Sequence, residues 1–116
     1  MPDKKTMTLW IRTTVEQSGH AVPPAQRSVT VRLIDTRESA VLNRTFRHRE
    51  GPTNILSFAD HPLPGWASES LGDLAICAPL VLEEAQCAHK LPEEHWAHLL
   101  IHGTLHLLGY DHLTPT

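Results

Sequence analysis

The sequence predicts an α+β domain in which a small mixed β-sheet is packed by several helices. Three observations carry this. Residues 28–35 alternate, with Val29, Val31 and Leu33 on one face and Thr30 and Arg32 on the other, which is the period of a strand. Residues 92–108 hold a long apolar run behind Pro92, Glu93 and Glu94 and before Gly109, which is the pattern of a capped helix. Short apolar runs and helical stretches interleave throughout, which gives a mixed class.

Taken in order, residues 6–15 predict a weakly amphipathic helix with Leu9, Trp10 and Thr13 on one side. Residues 18–27 hold Gly19, Pro23 and Pro24 and predict a loop. After the strand at 28–35, Asp35 and Thr36 offer caps for a helix to about Arg47, with Ala40, Val41 and Leu42 inside. Gly51-Pro52 breaks the chain, and residues 54–59 (NILSFA) predict a strand. Residues 60–70 carry Pro62, Pro64 and Gly65 and predict a loop, and residues 71–77 (LGDLAIC) a further strand. Residues 78–89 predict a helix with Pro79 in its first turn and Leu80, Val81 and Ala85 buried.

The chain has 116 residues, room for one domain, and is expected to be a single unit over 1–116. Its formal charge of -3 excludes a bulk basic field, so any nucleic-acid contact must use a local patch. No apolar run approaches the ~18 residues of a membrane span, and residues 1–14 lack a signal-peptide pattern. Cys77 and Cys87 form no CxxC pair and are expected to be free core thiols in a reducing, cytoplasmic setting.

Histidine is the outlier, with nine in the chain. Most are ordinary surface residues by expectation, but His102, His106 and His112 stand apart. A helix turns ~100° per residue, so His102 and His106 share a face about 6 Å apart along the axis, and two imidazoles so placed can bind one metal. Gly109 can take a positive φ, end the helix and fold His112 back to the same ion. Three imidazoles with an open fourth position suit a catalytic zinc. They also suit Ni, Cu or Fe. His98 lies ~12 Å along the axis from His106, too far to share the ion, and is a candidate for support around it.

The string HGTLHLLGYDH matches the zinc-protease spacing HExxHxxGxxH in every His and in Gly109, but Gly103 stands where the general base Glu belongs. The metal geometry survives and the protease base does not. Gly103 is expected to leave open space beside the metal for a bulky substrate.

HGTLHLLGYDH (102–112), with LNRTFRHREGPTNILSF (42–58), LGDLAIC (71–77) and EEHWAHLLIHG (93–103), resembles the signature blocks of the YbeY endoribonucleases, bacterial rRNA maturation factors. The resemblance runs from about Val29 onward. It implies a zinc ion on His102, His106 and His112, and an activity-linked Arg at Arg47. It implies single-strand-specific cleavage of RNA, with 16S rRNA 3′-end maturation and ribosome quality control as the setting and the small subunit as partner. Relative to that family the chain is expected to be shortened at both ends.

In that reading His102 and Arg47 are the catalytic candidates. The metal activates water or binds an RNA phosphate oxygen, and Arg47 meets the developing charge with a planar fork. Arg44 and Arg49 complete a local basic cluster for substrate. Asp111 orients a ligand or caps the turn. Trp66 and Trp96 are candidates for base stacking, Trp96 more naturally for the core. Thr53, Asn54 and Ser57 are candidates for lining the cleft. Two alternatives stand beside this: a metallopeptidase drawing its base from Glu83 or Glu84, and a non-catalytic ribosome-binding module with structural zinc.

Overall fold

The computed structural model describes residues 2–19, 28–59 and 71–109. In chain order these form α1 (Lys4–Gln17), β1 (Val29–Ile34), α2 (Thr36–Arg47), β2 (Ile55–Ala59), β3 (Gly72–Cys77), α3 (Ala78–Cys87) and α4 (Pro92–Leu107). The sheet order is β1-β3-β2, with β1 parallel and β2 antiparallel to β3. The mixed α+β class predicted from sequence is the one observed.

Strand β3 is central, and Leu74, Ala75, Ile76 and Cys77 are all buried. A strand covered on both faces reads as a continuous apolar run, which is what LAIC is. Its two faces divide the core. Leu74 and Ile76 join Ile11 of α1, Val81 of α3, and Trp96, Leu99, Leu100 and Leu107 of α4. Ala75 and Cys77 join Ile34 and Leu56, with Leu42 of α2, Phe58 and Leu80 packed against them. Helices α1 and α4 therefore cover one face of the sheet and α2 the other.

Several sequence expectations change. The inward stripe of α1 is Met7, Trp10, Ile11, Thr14 and Val15, at helical spacing, while Leu9 and Thr13 face solvent. Asp3 caps that helix, its Oδ1 accepting from Thr6 N at 2.8 Å, so the helix starts earlier than the apolar pattern suggests. In β1, Val29 and Val31 pack on the core but Leu33 is 48% exposed, while Ile34 is buried in the core on the other face. Helix α3 stops at Cys87 rather than His89, because His89 takes a left-handed φ of 55°. Both cysteines are free, but Cys87 is exposed and only Cys77 is a core thiol.

Helix α2 departs most. Its N-cap is Asp35, as predicted, with Oδ1 accepting from Glu38 N at 2.7 Å. Its buried residues, however, are Ser39 and Asn43, whereas Ala40 and Leu42 are half-buried and Val41 is exposed. Ser39 Oγ donates to Thr53 O at 2.7 Å and accepts from Thr53 N at 2.9 Å. Asn43 Nδ2 donates to Gly51 O at 2.8 Å. These bonds satisfy buried backbone groups of the segment between α2 and β2, and so fix that segment to the helix.

Helix α4 begins at Pro92 with Glu93 and Glu94 in its first turn, and Gly109 beyond it takes a φ of 95°, as the sequence predicts. Gly103 is buried, and its role differs from the expectation. A Cβ built there would lie 2.8 Å from Ile55 Cδ1 and 2.9 Å from Leu74 Cδ2. The missing side chain admits the sheet, not a substrate. It lets α4 approach β2 and β3 closely, which explains a glycine inside a helix at a propensity cost of about 1 kcal/mol.

Two stability outcomes follow from these contacts. Ser39→Ala leaves the Thr53 amide and carbonyl without their side-chain partner and is expected to cost about 1–3 kcal/mol, read by urea denaturation. Gly103→Val forces Ile55 and the fully buried Leu74 aside and is expected to cost about 1–3 kcal/mol. An unchanged urea midpoint in either variant contradicts the packing described.

A histidine-lined cleft along strand β2

Helix α4 turns one stripe of imidazoles, His95, His98, His102 and His106, toward the cleft side of the molecule. The rings follow one another along the helix. His95 and His98 stack at 6.5 Å with 10° between planes, and His98 and His102 at 6.0 Å with 18°. His102 and His106 come closest, with centroids 4.6 Å apart and Nε2 atoms 3.1 Å apart. Two nitrogens bound to one tetrahedral zinc at about 2.0–2.1 Å lie about 3.3 Å from each other. The pair therefore fits a shared ion with little adjustment. The i, i+4 reading of the sequence thus finds its geometry. His98 reaches His102 as a stacked ring. Partial burial, then Lys90, His102 and His95, hold its imidazole below the usual histidine value, so it is neutral near pH 7.

His112 and Asp111 lie outside the described residues, as do His20, His61 and Trp66. Among the described residues no group of three or more His, Cys, Asp or Glu is gathered around one point.

Opposite the stripe runs an open cleft of about 690 Å³. All of β2 lines it, together with Thr53 and Asn54 before the strand, Phe46 and Arg47 from α2, and His98, His102 and His106 from α4. Thr53, Asn54 and Ser57 thus lie where the sequence placed them. Ser57 Oγ donates to Gly103 O at 3.4 Å, a further tie between strand and helix. Arg47 is the last residue of α2. The helix stops there because His48 adopts a left-handed φ of 56°, its backbone N–H donating to Arg44 O at 3.2 Å and that of Arg49 to Asn43 O at 3.4 Å. Cations in the last helical turn are favoured by the dipole. Arg44 and Arg49 are exposed and do not line the cleft; Arg44 Nε lies 3.9 Å from Glu50 Oε1 in an exposed pair worth little. Of the basic cluster, Arg47 alone lines the cleft that the histidines also line. Trp96 is buried in the core, not in the cleft.

The sequence reading missed Glu84, His95 and Asn54 as a unit. Glu84 Oε1 accepts from Asn54 Nδ2 at 2.9 Å and lies 2.8 Å from His95 Nε2. The carboxylate accepts, so His95 carries its proton on Nε2; its Nδ1 is buried without a partner among the described residues. Glu84 thereby joins α3, α4 and the start of β2, and Asn54 O also accepts from Cys77 N at 2.9 Å. A carboxylate so engaged is not a base poised for peptide hydrolysis, and Glu83 is exposed. The signal available in the sequence was weak: a Glu amid helix surface residues and one His of nine.

Comparison with known proteins identifies the family. The family model described as Endoribonuclease YbeY matches residues 2–116. Proteins named Endoribonuclease YbeY from Coxiella burnetii strains Dugway 5J108-111 and RSA 493 are each 52% identical over 114 residues, covering 97% of this chain and 73% of theirs. The solution structure of TM1509 from Thermotoga maritima is similar at a TM-score of 0.58 and 30% identity, over 93% of this chain and 65% of that one. With a family match along nearly its whole length and relatives identical at half of their aligned positions, the chain belongs to the YbeY endoribonuclease family.

Proposed function

We propose that this chain is a metal-dependent endoribonuclease that cuts single-stranded RNA, acting in the cytoplasm on the small ribosomal subunit in 16S rRNA 3′-end maturation and ribosome quality control. The observation that carries the chemistry is the His102–His106 pair lining one cleft together with Arg47. The nuclease class rests on the family, and so does the choice of ribosomal RNA.

His102, His106 and His112 would hold the metal, zinc by their chemistry. A zinc bound there supplies Lewis acidity at a phosphate oxygen and a water of lowered pKa. The remaining work falls to the chain's own groups. Arg47 offers a bidentate fork to the phosphate oxygens on which charge gathers, and the end of α2 holds it at the cleft wall. Glu84 keeps Asn54 and His95 in place at the far end, and the stacked His98 limits the freedom of His102. An exposed thiol in Cys87 agrees with a reducing compartment.

Among the described residues a peptidase reading finds no poised base, since Gly103 faces the sheet, Glu84 is engaged and Glu83 is exposed. A structural zinc in a non-catalytic module would leave RNA binding without cleavage.

The test is cleavage of a labelled single-stranded RNA by purified protein, with and without chelator, beside His102→Ala and Arg47→Ala. Chelation and His102→Ala are expected to abolish cleavage. Arg47→Ala is expected to lower kcat by about 10²–10³, and Arg47→Lys to restore little of it. Cleavage insensitive to chelator and to both alanine variants contradicts the proposal. Elemental analysis of the protein is expected to give one zinc per chain, and none with His102→Ala.

A further inference from the structure

Phe46 is unlike the other aromatic residues described. It lies on the stripe of α2 that faces the sheet, three and seven residues beyond Asn43 and Ser39 and four beyond Leu42. Leu42 packs against the core. Phe46 does not: it is 59% exposed, the most exposed aromatic among the described residues. The reason is position. Phe46 stands in the last turn of α2 and lines the cleft bordered by β2, an edge strand of the described sheet, instead of entering the core.

Its orientation is nonetheless fixed. Phe58, half-buried on β2, meets it edge to face, with centroids 5.1 Å apart and 77° between planes. In such a pair at most one face of Phe46 is covered, and the exposure confirms that the rest is open. The neighbouring side chain is Arg47, and both line the cleft that holds His98, His102 and His106. A flat apolar ring and a guanidinium lining one cleft can serve the base and the phosphate of an unstacked nucleotide.

We propose that Phe46 is a base-stacking platform: a nucleobase of single-stranded RNA lies on its open face while the adjoining phosphate reaches Arg47. The platform rests on the RNA-cleaving reading of the cleft and adds to it a cause for strand preference. Bases inside a duplex are already stacked and paired and cannot lie on the ring; an unpaired base can. Stacking requires no particular base, so the platform selects strand state and not sequence.

Binding is measured without cleavage, by anisotropy of a labelled single-stranded RNA with chelator present, for the parent chain, Phe46→Ala and Phe46→Trp. Phe46→Ala is expected to weaken binding about tenfold, and Phe46→Trp to stay within about twofold of the parent. On an oligomer of the same length without bases, parent and Phe46→Ala are expected to bind alike. A 2-aminopurine in the RNA is expected to be quenched by the parent and not by Phe46→Ala. Equal binding of base-bearing RNA by all three proteins overturns the platform. So does an equal loss by Phe46→Ala on both oligomers, or an effect of Phe46→Ala on self-association alone. Cleavage by the metal-loaded parent is read separately. Phe46-dependent binding without cleavage keeps the platform and overturns the endoribonuclease reading. Cleavage whose KM ignores Phe46→Ala does the reverse. Absence of both binding and cleavage overturns both.

Discussion

Helix α4 can lie on the sheet at its observed depth because residue 103 has no side chain. A Cβ at that point would sit within 3 Å of Ile55 and Leu74, the first on the strand that borders the cleft and the second fully buried in the central strand. Much else follows from this contact. It places His102 beside β2 and sets the level at which His106, one turn further, faces the same cleft. Ser57 adds a hydrogen bond to the carbonyl of the same glycine. The residue that a protease would use as its base is here the residue that seats the histidine-bearing helix on its sheet.

The opposite wall of the cleft is built by different means. The end of α2 and the segment leading to β2 hold few large apolar groups. Ser39 and Asn43 anchor that segment through backbone hydrogen bonds, and the left-handed His48 turns the chain immediately after Arg47. Such bonds are directional, so they fix Arg47 and Asn54 more specifically than an oily contact of similar strength would. Glu84 closes the third side by holding Asn54 and His95 with one oxygen. Apolar packing supports the histidines, and polar anchoring supports the arginine.

Much of this was legible in the sequence. The apolar run of β3 and the capped α4 each follow one rule, and the structure obeys it, whereas the alternation of β1 holds only as far as Val31, with Leu33 exposed and Ile34 buried. The spacing of His102 and His106 predicts two neighbouring imidazoles, because helical geometry is invariant, and their Nε2 atoms lie 3.1 Å apart. The failures share one cause: residue type does not reveal which atom a side chain meets. In α2 the apolar triplet Ala40-Val41-Leu42 suggested the inward face, yet the inward residues bond to a loop that only the fold brings near. Gly103 suggested space for substrate, yet its neighbours come from two strands far away in the chain. Glu84 and His95 resembled ordinary surface residues, because their partnership depends on how α3 and α4 pack. The sequence reading drew nothing from Phe46, because its exposure and its place in the cleft wall depend on how α2 packs beside β2.

The central claim is that α4, seated through Gly103, presents His102 and His106 as two ligands of one ion. X-ray absorption at the zinc edge of the purified, zinc-loaded chain tests it most directly. The account predicts one zinc with nitrogen ligands at about 2.0–2.1 Å and the multiple-scattering pattern of imidazole, reduced when His106 is replaced by Ala. A sulfur shell at about 2.3 Å, marking thiolate ligation by the chain's cysteines, or a spectrum unchanged by His106→Ala, would contradict it.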